Sequence, residues 1–314
     1  MERSQAASAR TGLPVWIRGL IRTMRPRQWL KNGFIFIPLL FDRQFTHAAP
    51  LLRVAIGYVL FCMIASTVYL INDIVDVEKD KLHPKKKHRP IPAGQLPIPI
   101  AFAAAIVLPV VALSTAALLP AQGTTIPAGW PFGLILVAYL LLQIAYSFAL
   151  KNMVIMDVLV IAGGFVLRVI GGVVIINVTN FSPWLYVCFG MLSLFLAVGK
   201  RRQELMLLAG AAKDHRATYK EYNLPLLDDM LRMVTTGSVL AYTLYTVEAQ
   251  TKLASGPAML LTIPFVVYGI FRYLYLIHVK GEGGAPDEVL FKDRPLLIDV
   301  IAFVVAVGAI IYLK

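Results

Sequence analysis

The chain has 314 residues, 58% of them hydrophobic and only 15% charged, and its 30 Lys and Arg against 18 Asp and Glu leave a formal net charge of +12. That balance excludes a soluble globular domain and describes a protein with many membrane spans. Two cysteines, Cys62 and Cys188, lie inside apolar runs without CxxC or Cys/His spacing, which argues against a disulfide framework and against zinc.

In chain order, residues 1–31 come first and hold seven basic residues: Arg3, Arg10, Arg18, Arg22, Arg25, Arg27 and Lys31. No run there ends like a cleavage site, so no signal peptide is predicted and the first span acts as the insertion signal. Trp29 suits the membrane interface, and Lys31-Asn32 stands at the edge of the first apolar run. Apolar runs near 20 residues long then predict nine spans, at 32–47, 53–71, 98–119, 131–150, 153–176, 183–199, 230–248, 257–278 and 296–313. The first is short and contains Pro38. The expected fold is an all-α integral membrane protein, one transmembrane domain over residues 1–314, with residues 1–31 as a basic N-terminal segment.

With the N-terminus inside, residues 72–97, 151–152, 200–229 and 279–295 share its side and hold most of the Lys and Arg, whereas the stretches 120–130 and 177–182 hold none. The positive-inside rule therefore predicts a multi-pass protein of the plasma membrane with these segments in the cytoplasm. Topology and anionic lipid account for the net charge, and no nucleic-acid partner is expected.

The second span ends in Asn72-Asp73-Ile74-Val75-Asp76-Val77-Glu78-Lys79-Asp80. Asp73, Asp76 and Asp80 are spaced i, i+3 and i+7, which on a helix puts them within roughly 60° of one another, with Glu78 pointing away. Carboxylates at a membrane boundary call for compensation, and a hard cation such as magnesium supplies it. The stretch continues into Lys85-Lys86-Lys87-His88-Arg89-Pro90, and acids followed by Lys86 and Arg89 suit a magnesium diphosphate. His83 and His88 read as ordinary loop residues.

The fourth span ends in Tyr146-Ser147-Phe148-Ala149-Leu150-Lys151-Asn152, where Lys151 also suits a snorkelling anchor. In the fifth, Asp157, Gly164, Arg168 and Gly171 share one helical face, a stripe that should meet protein or water. Eleven residues rise about 16 Å, so Asp157 and Arg168 could pair only through intermediates, and a structural role stays open for either. Gly163-Gly164 and Gly171-Gly172 read as packing positions, because no strand precedes them as a phosphate loop requires. Gly199-Lys200-Arg201-Arg202-Gln203-Glu204 opens the third charged segment.

Together these residues resemble the UbiA superfamily of intramembrane prenyltransferases, whose mark is a magnesium-binding NDxxDxxxD at the inner end of the second helix; Asn72 to Asp80 match it in full. The resemblance covers essentially the whole chain. It implies nine transmembrane helices around a central cavity open laterally to lipid, and Mg2+ as cofactor. Members that alkylate an aromatic acceptor carry a second Asp-rich motif after the sixth helix, where this sequence has Lys200, Arg201, Arg202 and Glu204. That reversal of sign, with Lys31-Asn32, His83-Pro84, Arg89-Pro90-Ile91, Tyr146-Ser147, Leu150-Lys151, Asp157 and Arg168, resembles the branch that transfers 5-phosphoribosyl from phosphoribosyl pyrophosphate to decaprenyl phosphate, in lipid-linked arabinose synthesis for the cell wall.

The resemblance implies that Asp73, Asp76 and Asp80 hold magnesium on the donor diphosphate, with Asp73, Asp76, Tyr146 and Lys151 as the catalytic set. Arg89 and Lys151 steady the diphosphate oxygens and Tyr146 orients the donor. Lys31, Lys200 and Arg201 are candidates for a phosphate of either substrate, and Asn32, Asn72, Lys86, Ser147, Asp157, Arg168 and Glu204 complete the expected substrate contacts. Expected partners are phosphoribosyl pyrophosphate, polyprenyl phosphate and membrane lipid; a homo-oligomer stays open. Two alternatives compete: a prenyl diphosphate transferase with an aromatic acceptor, and a lipid transporter, against which the one-sided clustering of charge argues.

Overall fold

A computed structural model describes residues 13–84, 86–120, 128–178, 181–207, 221–252, 256–282 and 286–313. Arg3, Arg10, Lys85 and most of the 200–229 segment beyond Leu207 lie outside the described residues. Every regular element described is helical: α1 (Val15–Met24), α2 (Pro26–Trp29), a 3-10 stretch (Leu30–Phe36), α3 (Ile37–Phe41), α4 (Ala48–Val75), α5 (Val77–Leu82), α6 (Ile98–Leu118), α7 (Trp130–Phe148), α8 (Met156–Ile175), α9 (Pro183–Leu207), α10 (Leu224–Lys252), α11 (Ile263–His278), α12 (Pro286–Lys292) and α13 (Arg294–Tyr312). Proline stands in the first turn of α6, α7, α11 and α13, where its fixed φ favours the helix and its missing N–H costs nothing. Asp293 caps α13 by accepting the Leu296 N–H at 2.9 Å, and its carboxylate also takes Arg272 of α11 through two N–H groups, at 3.1 and 2.8 Å.

Among the described residues, seven helical stretches are long and apolar enough to cross a membrane, and the protein is an integral membrane protein. They correspond to the predicted spans two to six, eight and nine. The predicted seventh span lies within α10, a 29-residue helix whose first turns carry Asp228, Asp229 and Arg232. The predicted first span is the exception: residues 26–41 form short helical pieces and 3-10 turns rather than one helix. Pro38 prevents a continuous ladder, and irregular backbone at this depth is tolerated because protein surrounds it. A Cβ on Gly172 of α8 would come within 2.2 Å of the Ile35 carbonyl oxygen, so only glycine admits this stretch so close.

Two further boundaries bear on the site. The second span is longer than the predicted 53–71, so Asp73 lies on α4 itself. The sixth does not stop at Gly199 but continues as helix to Leu207, which places Lys200, Arg201, Arg202 and Glu204 on α9 rather than on a loop.

One apolar core joins Ile35 and Leu39 to Phe61, Phe132, Leu136 and Ile175, and another joins Phe195 and Val198 to Leu231, Ile270 and Ile277. α4 lies at the centre, with 61% of its span window buried, whereas α6 and α13 bury only 17% of theirs. The apolar faces of those outer helices are left for lipid.

Candidate active site

The chain path brings the polar groups together. α4 ends, α7 ends, α8 begins and α9 ends on the same side of the bundle, so Asp73, Tyr146-Ser147, Asp157 and Arg201 meet there although they are far apart in sequence.

The first cluster is built on Asp73 and Asp80, whose side chains are both 2% exposed. Arg89 Nη1 lies 3.1 Å from Asp73 Oδ1 and 2.7 Å from Asp80 Oδ2, so one guanidinium nitrogen is shared by both carboxylates. Arg25 Nη2 donates to the same Asp73 oxygen at 2.7 Å, and Lys86 Nζ stands 3.7 Å from Asp80 Oδ1. Arg25 reaches Asp73 because it occupies a left-handed position, φ 54°, at the break between α1 and α2, with its guanidinium over the Tyr69 ring. Asn72 Nδ2 donates to Ser147 Oγ at 3.0 Å, which ties the end of α4 to the end of α7.

Of the three aspartates expected on one face, Asp73 and Asp80 converge as the spacing implies. Asp76, half-buried, sits at the junction of α4 and α5 with φ −89° and ψ 6°, and among the described residues no three carboxylate, His or Cys side chains form a group able to hold a metal. The donor chemistry nevertheless fits magnesium: hard carboxylate oxygens, buried, converging on a position now held by a cation.

The second cluster centres on Asp157, which is fully buried at the start of α8. Its Oδ2 accepts Arg201 Nε at 2.7 Å, and its Oδ1 accepts the Tyr222 hydroxyl at 2.7 Å. Arg201, 3% exposed, also donates to Glu204 and, through Nη2, to the Tyr146 hydroxyl at 3.3 Å. Lys200 Nζ lies 3.9 Å from Glu204. Arg201, expected as a candidate for a substrate phosphate, here has its charge matched by Asp157 and Glu204 and its Nη2 on Tyr146. Lys200, about two-fifths exposed, is the cation of that segment placed toward solvent. Lys31 and Lys151 are both partly buried. Ser147 and Tyr146 are consecutive, so the end of α7 stands between the two clusters.

Arg168 belongs to neither. Its Nε donates to Asn32 Oδ1 at 2.7 Å, Nη1 to the Gly164 carbonyl at 2.8 Å and Nη2 to the Tyr139 hydroxyl at 2.6 Å, with the Tyr139 and Phe165 rings beside it. Asn32 in turn donates to Cys62 Sγ at 3.2 Å. Arg168 and Asp157 thus have different partners, Asn32, Gly164 and Tyr139 for the first and Arg201 and Tyr222 for the second. Arg168 and Asn32 hold the irregular 30–41 segment against α7 and α8.

Sequence reasoning missed Arg25 and Tyr222. A basic residue just before Pro26 at a helix break was one signal. An aromatic just before Asn223, whose side chain caps α10 by accepting the Leu226 N–H at 2.8 Å, was another.

The chain is similar to known proteins at two levels, sequence and fold. Residues 39–291 match the UbiA prenyltransferase family. A decaprenyl-phosphate phosphoribosyltransferase from Mycolicibacterium smegmatis is 33% identical over 94% of this chain and 93% of its own length. A protein of the same name from Corynebacterium glutamicum is 33% identical over 94% of this chain and 87% of its own length. Among solved structures, a UbiA homolog from Archaeoglobus fulgidus bound to DMAPP and Mg2+ superposes with a TM-score of 0.68 at 18% identity, covering 94% of this chain and 100% of that one. An apo UbiA homolog from Aeropyrum pernix gives 0.54 at 14%, covering 94% and 98%. At such identities the solved structures establish the fold alone.

Proposed function

The chain belongs to the UbiA prenyltransferase family, and from that premise we propose that it transfers 5-phosphoribosyl from phosphoribosyl pyrophosphate to a polyprenyl phosphate of the decaprenyl class, releasing diphosphate. The observation that carries the reading is the pairing of two buried aspartates through Arg89, beside an α9 end that is basic where an acidic motif would serve a second metal. The similarity in sequence to phosphoribosyltransferases, over nearly the whole chain, supports it.

Asp73, Asp76 and Asp80 would hold Mg2+, which neutralises charge on a departing diphosphate. Arg25 and Arg89 are now spent on the carboxylates; when a diphosphate arrives, both guanidinium groups exchange a carboxylate for phosphate oxygens without leaving the cluster. Lys86 and Lys151 add donors on the same side. Tyr146, held by Arg201, and Ser147, held by Asn72, fix the donor's orientation. As C1 of the ribose takes on positive character, these preset cations stabilise the charge growing on the leaving group. The acceptor phosphate is already ionised at neutral pH, so no general base is needed. Attack from the face opposite the diphosphate inverts C1. Lys31 and Lys200 are placed for the acceptor phosphate or the ribose 5-phosphate, and the isoprenoid lies between helices toward lipid. The site faces the cytoplasm of the plasma membrane, on the side that holds most of the basic residues.

The test is acceptor-dependent release of pyrophosphate from purified protein with magnesium. Release from phosphoribosyl pyrophosphate only when polyprenyl phosphate is present supports the reading. Release from a prenyl diphosphate only when an aromatic acid is present would replace it.

A further inference from the structure

Ile155, just ahead of α8, carries φ +68°, a left-handed value that a β-branched side chain adopts only where its surroundings impose it. Tyr222 imposes it. The phenol oxygen accepts the Ile155 N–H at 2.8 Å, while its own O–H donates to Asp157 Oδ1 at 2.7 Å. Tyr222 is 5% exposed and packs in the same apolar core as Val158 and Leu227. Burial and the bond to Asp157 push its phenol above the ordinary value, so it remains a donor through neutral and mildly alkaline pH.

The bond to Oδ1 controls what Asp157 does with its other oxygen. A carboxylate free on both sides takes an arginine in a fork, through two parallel N–H groups. Here the phenol O–H sets the rotation of the carboxylate, with Oδ2 turned to Arg201 Nε at 2.7 Å, and Arg201 Nη2 reaches Tyr146 at 3.3 Å. Without the phenol O–H, Oδ1 would turn to Nη2 and draw it away from Tyr146. A buried ion pair is weak evidence for stability in itself, but this one is steered by a third group.

We propose that Tyr222 is a positioning residue for the transfer reaction: it touches no substrate, and through Asp157 it holds Arg201 and Tyr146 in the geometry that receives the donor. The proposal rests on the reading of the site given above.

The test is Tyr222→Phe in the full chain in detergent, which keeps the ring in its core and removes one oxygen. Two readouts are taken: kcat and KM for phosphoribosyl transfer, and the rise in melting temperature produced by magnesium with inorganic pyrophosphate. The expected result is a fall in kcat of about tenfold or more, because small misplacements of a reacting geometry carry costs of that size. KM for polyprenyl phosphate stays unchanged, and the pyrophosphate-induced rise shrinks relative to wild type. Unchanged kcat with an unchanged rise overturns the proposal. A lower basal melting temperature with kcat and the rise both preserved also overturns it, leaving only a packing role. If wild-type protein transfers no phosphoribosyl yet the pyrophosphate-induced rise depends on Tyr222, the substrate assignment fails while the positioning role stands.

Discussion

In the proposed reaction, Asp73 is the residue on which the chemistry turns. It is 1% exposed and faces two guanidinium groups, Arg25 and Arg89, across hydrogen bonds of 2.7 and 3.1 Å. Asp73→Asn keeps the shape, loses the charge and leaves Arg25 and Arg89 without a counter-charge at that position. We expect turnover to fall by roughly 10²-fold or more, with the protein still folded by its melting curve. Near-normal activity would remove Asp73 from the metal site. The convergence of Asp73 and Asp80 was legible in the sequence, because helical spacing alone brings i and i+7 to one face. The pairing of Asp157 with Arg201 was not, since it depends on how α8 and α9 pack. Nor was the part of Arg25: Pro26 marks a helix break, but not the left-handed turn that the reach of Arg25 requires.

At the scale of elements, close approach and end-to-end ion pairs set the frame around the site. Gly172 admits the Ile35 carbonyl, so Gly172→Ala forces apart α8 and the irregular 30–41 segment that carries Asn32. The expected cost is about 1–3 kcal/mol, read as a lowered melting temperature in detergent, whereas Gly33→Ala, with nothing near its Cβ, should cost far less. Asp293 joins α11 to α13, and its bonds to Arg272 hold its carboxyl below the ordinary value. A depressed carboxyl stabilises the fold above its unfolded pKa of about 3.9 and loses that contribution as pH falls through the lower folded value. Asp293→Asn should therefore melt lower than wild type at pH 7, with the gap closing below about pH 4; a gap independent of pH would rule out the ion pair as its cause. The apolar runs and proline starts made most helices legible. The first span was misjudged because hydropathy registers its apolar content and not the broken backbone around Pro38. The sixth runs past its predicted end because α9 carries its arginines onward by pairing them with Asp157 and Asp228.

For the whole molecule, the outer helices define what meets lipid. Val110 on α6 is 57% exposed within a helix that is almost wholly apolar, so Val110→Arg should impair insertion, at a cost on the order of 3 kcal/mol near the helix centre. Reduced membrane yield checks this, against an unaffected Val110→Leu control. The all-α fold was legible from composition and span length, and the NDxxDxxxD stretch pointed to one side of the bundle before any packing was known. What composition did not reveal is the division of that side into two clusters, one of aspartates paired with Arg25 and Arg89 and one that joins Asp157, Arg201 and Tyr146. The central claim joins the clusters into one phosphoribosyl transfer, and the most direct measurement follows label from phosphoribosyl pyrophosphate, carried in the ribose, into an organic extract with magnesium and polyprenyl phosphate. The account predicts label in the lipid phase that disappears when EDTA is added or the lipid phosphate is omitted. Folded protein that leaves all label in the aqueous phase, across several isoprenoid lengths, would contradict it.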